Sequence, residues 1–147
     1  MPAPAGGKEA EVKYLLLLQR AAGEDLPAFG TPEATAMVSE WTSVTDAMRG
    51  AGVLIDCAPL ASASAATTVR VRGGQTLLTD GPAAELKEQV GGYTLVECAD
   101  LDEAIKWAAS LPAAAAASVE IRPVLNPRAP DPAAASGMPG PDPGASN

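Results

Sequence analysis

The chain contains 147 residues, of which ten are basic and eighteen acidic, so its net charge is −8 at pH 7. This length suggests one domain with tails. An acidic chain suits neither nucleic acid nor an anionic membrane, because binding to phosphates relies on Lys and Arg. The sequence has no histidine, which excludes a Ser-His-Asp triad, a Cys-His pair and a His-based metal site. We therefore expect no nucleic-acid or membrane partner, no metal and no cofactor.

The two ends of the chain differ in composition from its middle. Residues 1–11 hold Pro, Gly and charged side chains without the apolar stretch of a secretory signal, and we expect a flexible leader. Residues 126–147 are rich in Pro, Ala and Gly and predict a disordered tail. The segment between them, residues 12–125, is the expected domain. We interpret its two cysteines, Cys57 and Cys98, as buried thiols of a cytoplasmic protein.

The domain opens with a predicted strand over Val12–Gln19 that is apolar on both faces. Side chains alternate along a strand, so Leu15 and Leu17 lie on one face while Leu16 and Leu18 lie on the other. Such a strand needs cover on both sides.

A helix is predicted to follow, with Thr31 as its N-cap and Pro32 at its first helical position. Large apolar side chains recur on one face of this helix at Met37, Trp41, Val44 and Met48. We interpret this stripe as core packing in preference to the lining of a ligand pocket. Gly50 marks the end of the helix.

The middle of the domain reads as short strands and turns. Val53–Cys57 predicts a buried strand, and Thr67–Arg72 and Gln75–Thr79 predict a hairpin joined by Gly73-Gly74. Glu85–Gln89 predicts a short helical piece, which the Gly91-Gly92 turn would close.

The last third predicts a strand, a helix and a strand. Tyr93–Cys98 is apolar on both faces, as the first strand is. Asp100 and Glu103 form the pattern of a capping box and start a helix that Pro112 limits. Ser118–Leu125 is the final predicted strand.

The order of these elements predicts an α+β domain. Without the inserted β-hairpin it reads β-α-β-β-α-β, which is the ferredoxin-like order. Two helices cover one sheet face, and no predicted element is left for the other. A second copy of the chain would supply that cover, so we expect a homodimer joined through its sheet faces.

Four stretches of the domain resemble one known family. Thr79–Tyr93 reads TDGPAAELKEQVGGY, and Lys13–Leu18 reads KYLLLL; the segments 100–108 and 118–124 read DLDEAIKWA and SVEIRPV. Together they resemble the YCII-related domain family, in the branch marked by an Asp-Gly-Pro-Phe motif. The chain departs from that pattern in two places. Ala83 stands where the motif has Phe, and Ala113–Ala117 stands where the family has a stretch that contains Arg.

The resemblance implies a dimeric α+β barrel with a cavity between the sheet and the helices. It also implies a bacterial cytoplasmic protein, since relatives often accompany extracytoplasmic-function sigma factors. Enzyme-like relatives carry a His-Asp pair for acid-base work. The absence of histidine here puts that chemistry in doubt.

Asp80, at the motif turn, has two interpretations. Its carboxylate could cap the turn by accepting backbone N–H groups. Alternatively it could be a pocket carboxylate that accepts a proton from a small molecule, with Tyr93 or Lys87 assisting. Lys87 and Glu88 could equally form a solvated surface pair, or they could orient an anionic ligand.

Three further side chains are candidates for ligand binding. Glu97 lies on an otherwise apolar strand and must be solvated, paired or in a pocket. Its candidate partners are Arg70, Arg72 and Arg122. The hydroxyls of Tyr14 and Tyr93 could reach into a cavity.

These features favour a non-catalytic accessory dimer that binds a small ligand or regulates a partner such as a sigma factor. The alternative is a small-molecule enzyme that carries out hydrolysis or elimination with Asp80 as its base.

Overall fold

The computed structural model describes residues 11–24 and 26–126. The predicted tail from residue 127 onward and most of the leader lie outside the described residues. The strands are β1 (Val12–Ala21), β2 (Leu54–Pro59), β3 (Thr67–Arg72), β4 (Gln75–Asp80), β5 (Glu88–Cys98) and β6 (Val119–Pro123). The helices are α1 (Pro32–Gly50), α2 (Leu101–Ser110) and α3 (Pro112–Ala116).

Four strands form one antiparallel sheet in the order β2-β5-β1-β6. Strands β3 and β4 form a separate two-stranded sheet inserted between β2 and β5. This is the ferredoxin-like α+β arrangement with an inserted hairpin, so the predicted fold class of the single chain is confirmed, and the dimeric barrel stays a prediction.

The central strand β1 has the two faces that its alternation predicts. Tyr14, Leu16 and Leu18 are buried, whereas Leu15 and Leu17 are half-buried. The buried set joins residues of α1 and α2 in one core, which includes Met48, Ala104 and Ala108. The helices therefore cover one face of the sheet. We call the other face, which carries Leu15 and Leu17, the open face.

Both long helices begin with the predicted caps. The Thr31 hydroxyl accepts the Ala34 N–H at 3.2 Å, and the Asp100 carboxylate accepts the Glu103 N–H at 2.9 Å. Glu103 reaches back one residue further than expected, because it accepts the Ala99 N–H at 2.7 Å. Neither of these helices, nor any other in the described part of the chain, is long and apolar enough to cross a membrane.

One predicted element was wrong, whereas the predicted limit of α2 at Pro112 is confirmed. Glu85–Gln89 is not helical, because β5 begins at Glu88 and continues its pairing with β1 past a bulge. Backbone pairing with a central strand outweighs a weak local helix preference. Pro112 ends the helical pattern of α2 but also starts α3, since Pro is well suited to the first position of a helix.

Gly91 and Gly92 lie inside β5 and do not form the predicted turn. A side chain at Gly91 would place its Cβ 2.6 Å from Cζ of Arg20, whose Nη2 donates to the Gly91 carbonyl at 3.0 Å. A Cβ at Gly92 would lie 3.0 Å from the Ala58 carbonyl oxygen and 3.6 Å from the Trp41 ring. The missing side chain at Gly91 therefore leaves space for Arg20. The missing side chain at Gly92 leaves space for β2 and for the Trp41 ring of α1.

The inserted hairpin, residues 67–80, is called the arm. Its turn residues Gly73 and Gly74 have φ values of 58° and 80°, as a two-residue hairpin turn requires. Every residue of β4 is exposed.

Candidate functional site

The open face carries a polar pair where β5 meets the edge strand β2. Tyr93 on β5 donates its hydroxyl to the Asp56 carboxylate on β2 at 2.8 Å. This hydrogen bond raises the pKa of Tyr93 above its usual value. The other Asp56 oxygen accepts the N–H of Cys57 at 2.9 Å, which fixes the carboxylate. Asp56 was not among the predicted site residues, although it is an acid within the otherwise apolar predicted strand Val53–Cys57.

A cleft of about 460 Å³ lies at the end of the open face where β1, β6 and the start of β5 meet. Its lining includes the apolar side chains of Leu17, Leu86 and Val90, with Gln19 and Gln89 beside them. Its charged and hydroxyl groups are those of Glu88, Ser118, Glu120 and Arg122.

The polar groups of this cleft are joined in two pairs. Ser118 donates its hydroxyl to the Glu88 carboxylate at 2.5 Å. Arg122 donates to the Glu120 carboxylate at 3.1 Å. Glu88 and Ser118 are half-buried, whereas Glu120 and Arg122 are exposed. The cleft therefore presents acceptors at its inner end and an exposed ion pair at its rim.

The structure does not bring the five predicted site residues together. Tyr14 lies in the core on the helix side of the sheet, only 5% exposed. Burial, followed by the nearby Cys98 and Asp100, raises its pKa. Tyr93 lies on the opposite face. The two hydroxyls therefore cannot serve one cavity.

Glu97 lies half-buried on the open face, opposite Lys13 in the β1–β5 register. Of its predicted partners, Arg122 is paired with Glu120 and Arg70 lies on the arm. Its assignment to a ligand site stays a prediction.

The profile of the YCII-related domain matches residues 12–128. The chain belongs to the YCII-related family. It is also similar to an uncharacterised protein of Rhizobium meliloti (strain 1021), with 37% identity over 99 residues, which cover 66% of this chain and 80% of that protein. The narrower branch marked by the Asp-Gly-Pro-Phe motif stays a prediction.

In this YCII-related protein the motif turn lies at the base of the arm. The Gly81 N–H donates to the Ala66 carbonyl, and the Thr68 hydroxyl donates to the Gly81 carbonyl, each at 2.7 Å. The backbone and Thr68 therefore close the turn that Asp80 was predicted to cap. Asp80 and Lys87 are both exposed, and neither lines the cleft.

The two thiols of the YCII-related chain differ in accessibility. Both are free, but Cys98 is buried and Cys57 is half-buried, so the prediction of two buried thiols holds only for Cys98. Burial, with a smaller effect of Glu103, raises the pKa of Cys98 to about 11. A thiol in that environment has almost no thiolate at neutral pH, and the thiolate is the reactive form.

We expect a thiol reagent at pH 8 to modify Cys57 quickly in the native protein and Cys98 only after denaturation. Absorbance of the released thiolate reports the number of modified groups. Cys57→Ser should remove the fast phase. Rapid modification of two thiols in the folded protein would contradict this assignment.

Proposed function

We propose that this YCII-related protein is a non-catalytic accessory module that binds a small polar molecule in the cleft of the open face. The observation that carries the proposal is that two hydrogen-bonded pairs, Ser118 with Glu88 and Arg122 with Glu120, line a cleft of about 460 Å³ together with three apolar side chains. Pockets for small ligands occupy roughly 300–1,000 Å³ and combine apolar walls with a few placed polar groups.

The polar groups suit a ligand that carries both signs of charge. Arg122 can exchange its exposed partner Glu120 for a ligand carboxylate, since a guanidinium binds carboxylates with two parallel hydrogen bonds. Glu88 lies deeper and can accept an ammonium group beside the Ser118 hydroxyl. Leu17 and Leu86 can contact an apolar chain between those ends. Amino acids and similar small zwitterions are therefore the ligand class we propose.

A thermal-shift screen with amino acids and short zwitterions tests this proposal. A ligand present at about 100 times its Kd should raise the free energy of unfolding by about 2.7 kcal/mol. Arg122→Gln and Glu88→Gln should each weaken the shift, whereas Arg72→Gln on the arm should leave it unchanged. If no compound shifts the melting temperature, or if both cleft variants respond as the wild type does, the ligand site is wrong.

We also propose that the protein is a homodimer joined through its open faces. The support is the apolar content of this face, where Leu15, Leu17 and Leu95 lie away from the helices. An interface of this kind typically buries about 800 Å² on each partner. The cytoplasmic location and the link to a sigma factor stay predictions from the resemblance.

The enzyme alternative, with Asp80 as the base, also stays a prediction. Its expected assistant Tyr93 donates a hydrogen bond to Asp56 instead. We therefore favour binding over catalysis.

A further inference from the structure

Arg20, near the end of β1, carries a positive charge that is not matched by an acidic side chain. Its guanidinium takes part in no ion pair within the part of the chain that the structure describes. The side chain is half-buried, and its Nη2 donates to the neutral carbonyl of Gly91 at 3.0 Å. Because a partly buried charge without a counterion is unfavourable, the position of Arg20 favours an anion beside it.

Gly91 leaves the space in which this guanidinium lies. A Cβ at Gly91 would be 2.6 Å from Cζ of Arg20 and 2.7 Å from its Nη2. The guanidinium therefore lies against the bare backbone of β5. Its bond to the Gly91 carbonyl uses one of five N–H donors. The other four have no partner among the described residues and are available to a ligand.

Arg20 lines a second and smaller cleft of about 110 Å³. This smaller cleft lies between the end of β1, the loop that follows it, the start of β5 and a short 3₁₀ turn over Ala63–Ala65. One water molecule takes up about 30 Å³ in the liquid, so the space holds roughly four waters or one small organic anion.

Ser62, which precedes the 3₁₀ turn, supplies a second donor to the smaller cleft. Its oxygen accepts the Ser64 N–H at 3.3 Å and the Ser64 hydroxyl at 3.1 Å. A hydroxyl oxygen has two lone pairs, so Ser62 has only its proton left to offer. No acceptor for that proton lies among the described residues. The smaller cleft therefore combines a guanidinium with a hydroxyl that can only donate.

Glu24 lies at the same cleft and limits the charge of the ligand. Its carboxylate is exposed, and it repels a doubly charged anion more strongly than a singly charged one. A phosphate group carries about 1.5 to 2 negative charges at neutral pH, whereas a carboxylate carries one. A planar carboxylate also accepts two parallel hydrogen bonds from a guanidinium.

We propose that the smaller cleft is a binding site for a small monocarboxylate, held by the Arg20 guanidinium and the Ser62 hydroxyl. Its lining shares Gln89 and Val90 with the larger cleft, and its charged groups are different. The proposal is therefore independent of the zwitterion that the larger cleft is proposed to bind.

An NMR titration of the full-length protein with sodium acetate tests this site, with chloride keeping the ionic strength constant. The amide signals of Ser62, Ser64 and Gly91 should shift in a saturable way. Arg20→Gln should weaken binding by about tenfold or more, since it removes charged hydrogen bonds. Signals that do not shift, or an unchanged Kd in Arg20→Gln, would overturn the proposal.

Two further variants leave the bond between Arg20 and Gly91 in place. Ser62→Ala should weaken acetate binding by about threefold or more, because it removes the second donor. Glu24→Gln should strengthen it by about two- to fivefold, because the repulsion of an exposed charge is modest. A purely structural role of Arg20 would leave the Kd for acetate unchanged in both variants, and that result would also refute the site.

Arg122→Gln is the matched control, because it removes the same charge from the larger cleft. It should leave the shifts at Ser62 and Ser64 unchanged. If it abolishes them while Arg20→Gln does not, acetate binds in the larger cleft and the smaller site is wrong, although the proposed function keeps its support. Inorganic phosphate should bind more weakly than acetate, and tighter binding of phosphate would overturn the assignment to carboxylates.

Discussion

Replacing Leu16 with Ala is expected to lower the free energy of unfolding by about 2–5 kcal/mol. Leu16 is fully buried, with 0% exposure, on the central strand β1. It pairs with Thr94 of β5 on one side and Ile121 of β6 on the other. Truncation removes apolar contacts and leaves a cavity that these paired strands cannot easily close, because their backbones are held by hydrogen bonds.

Urea denaturation at one fixed protein concentration measures this loss, since dimerisation would make stability depend on concentration. The matched control is Val38→Ala on α1, where the side chain is 58% exposed and the change should stay within about 0.5 kcal/mol. Equal losses at the two positions would contradict the core described here.

The second large effect is expected at Gly92. Gly92→Val should destabilise the protein by about 1–3 kcal/mol, because its Cβ would lie 3.0 Å from the backbone oxygen of Ala58. Relief would require β2 to move away from β5, and the Trp41 ring at 3.6 Å closes the space on the helix side.

The neighbouring Gly91 provides an informative comparison. A Cβ there meets the guanidinium of Arg20 at 2.6 Å, and the end of a flexible side chain can move. Gly91→Ala should therefore be milder than Gly92→Val, and most of its loss should disappear when Arg20→Ala is present. A double-mutant cycle, measured by urea denaturation, gives this coupling. A loss from Gly91→Ala that persists in full without Arg20 would show that the backbone, and not the arginine, sets the requirement.

The sequence predicted the helices and strands more accurately than it predicted the functional residues. Tyr93 and Glu97 lie on one face of β5, which strict alternation along a strand decides from their spacing alone. The cleft residues were not identified as a group, since Glu88 and Ser118 are 30 positions apart in the chain. Their contact depends on β5 and β6 both lying beside β1, which spacing along the chain does not specify.

The sequence by itself determined the local features of this protein. Local rules that act within a few residues predicted the first strand and the starts of both long helices. These rules are the alternation of Leu15 to Leu18, the N-cap at Thr31 and the capping box at Asp100. The tertiary structure decided which groups meet across strands. It extended β5 back to Glu88, and it tied Tyr93 to Asp56. The physical reason is that strand pairing joins residues distant in sequence, and the free energy of those contacts outweighs weak local preferences.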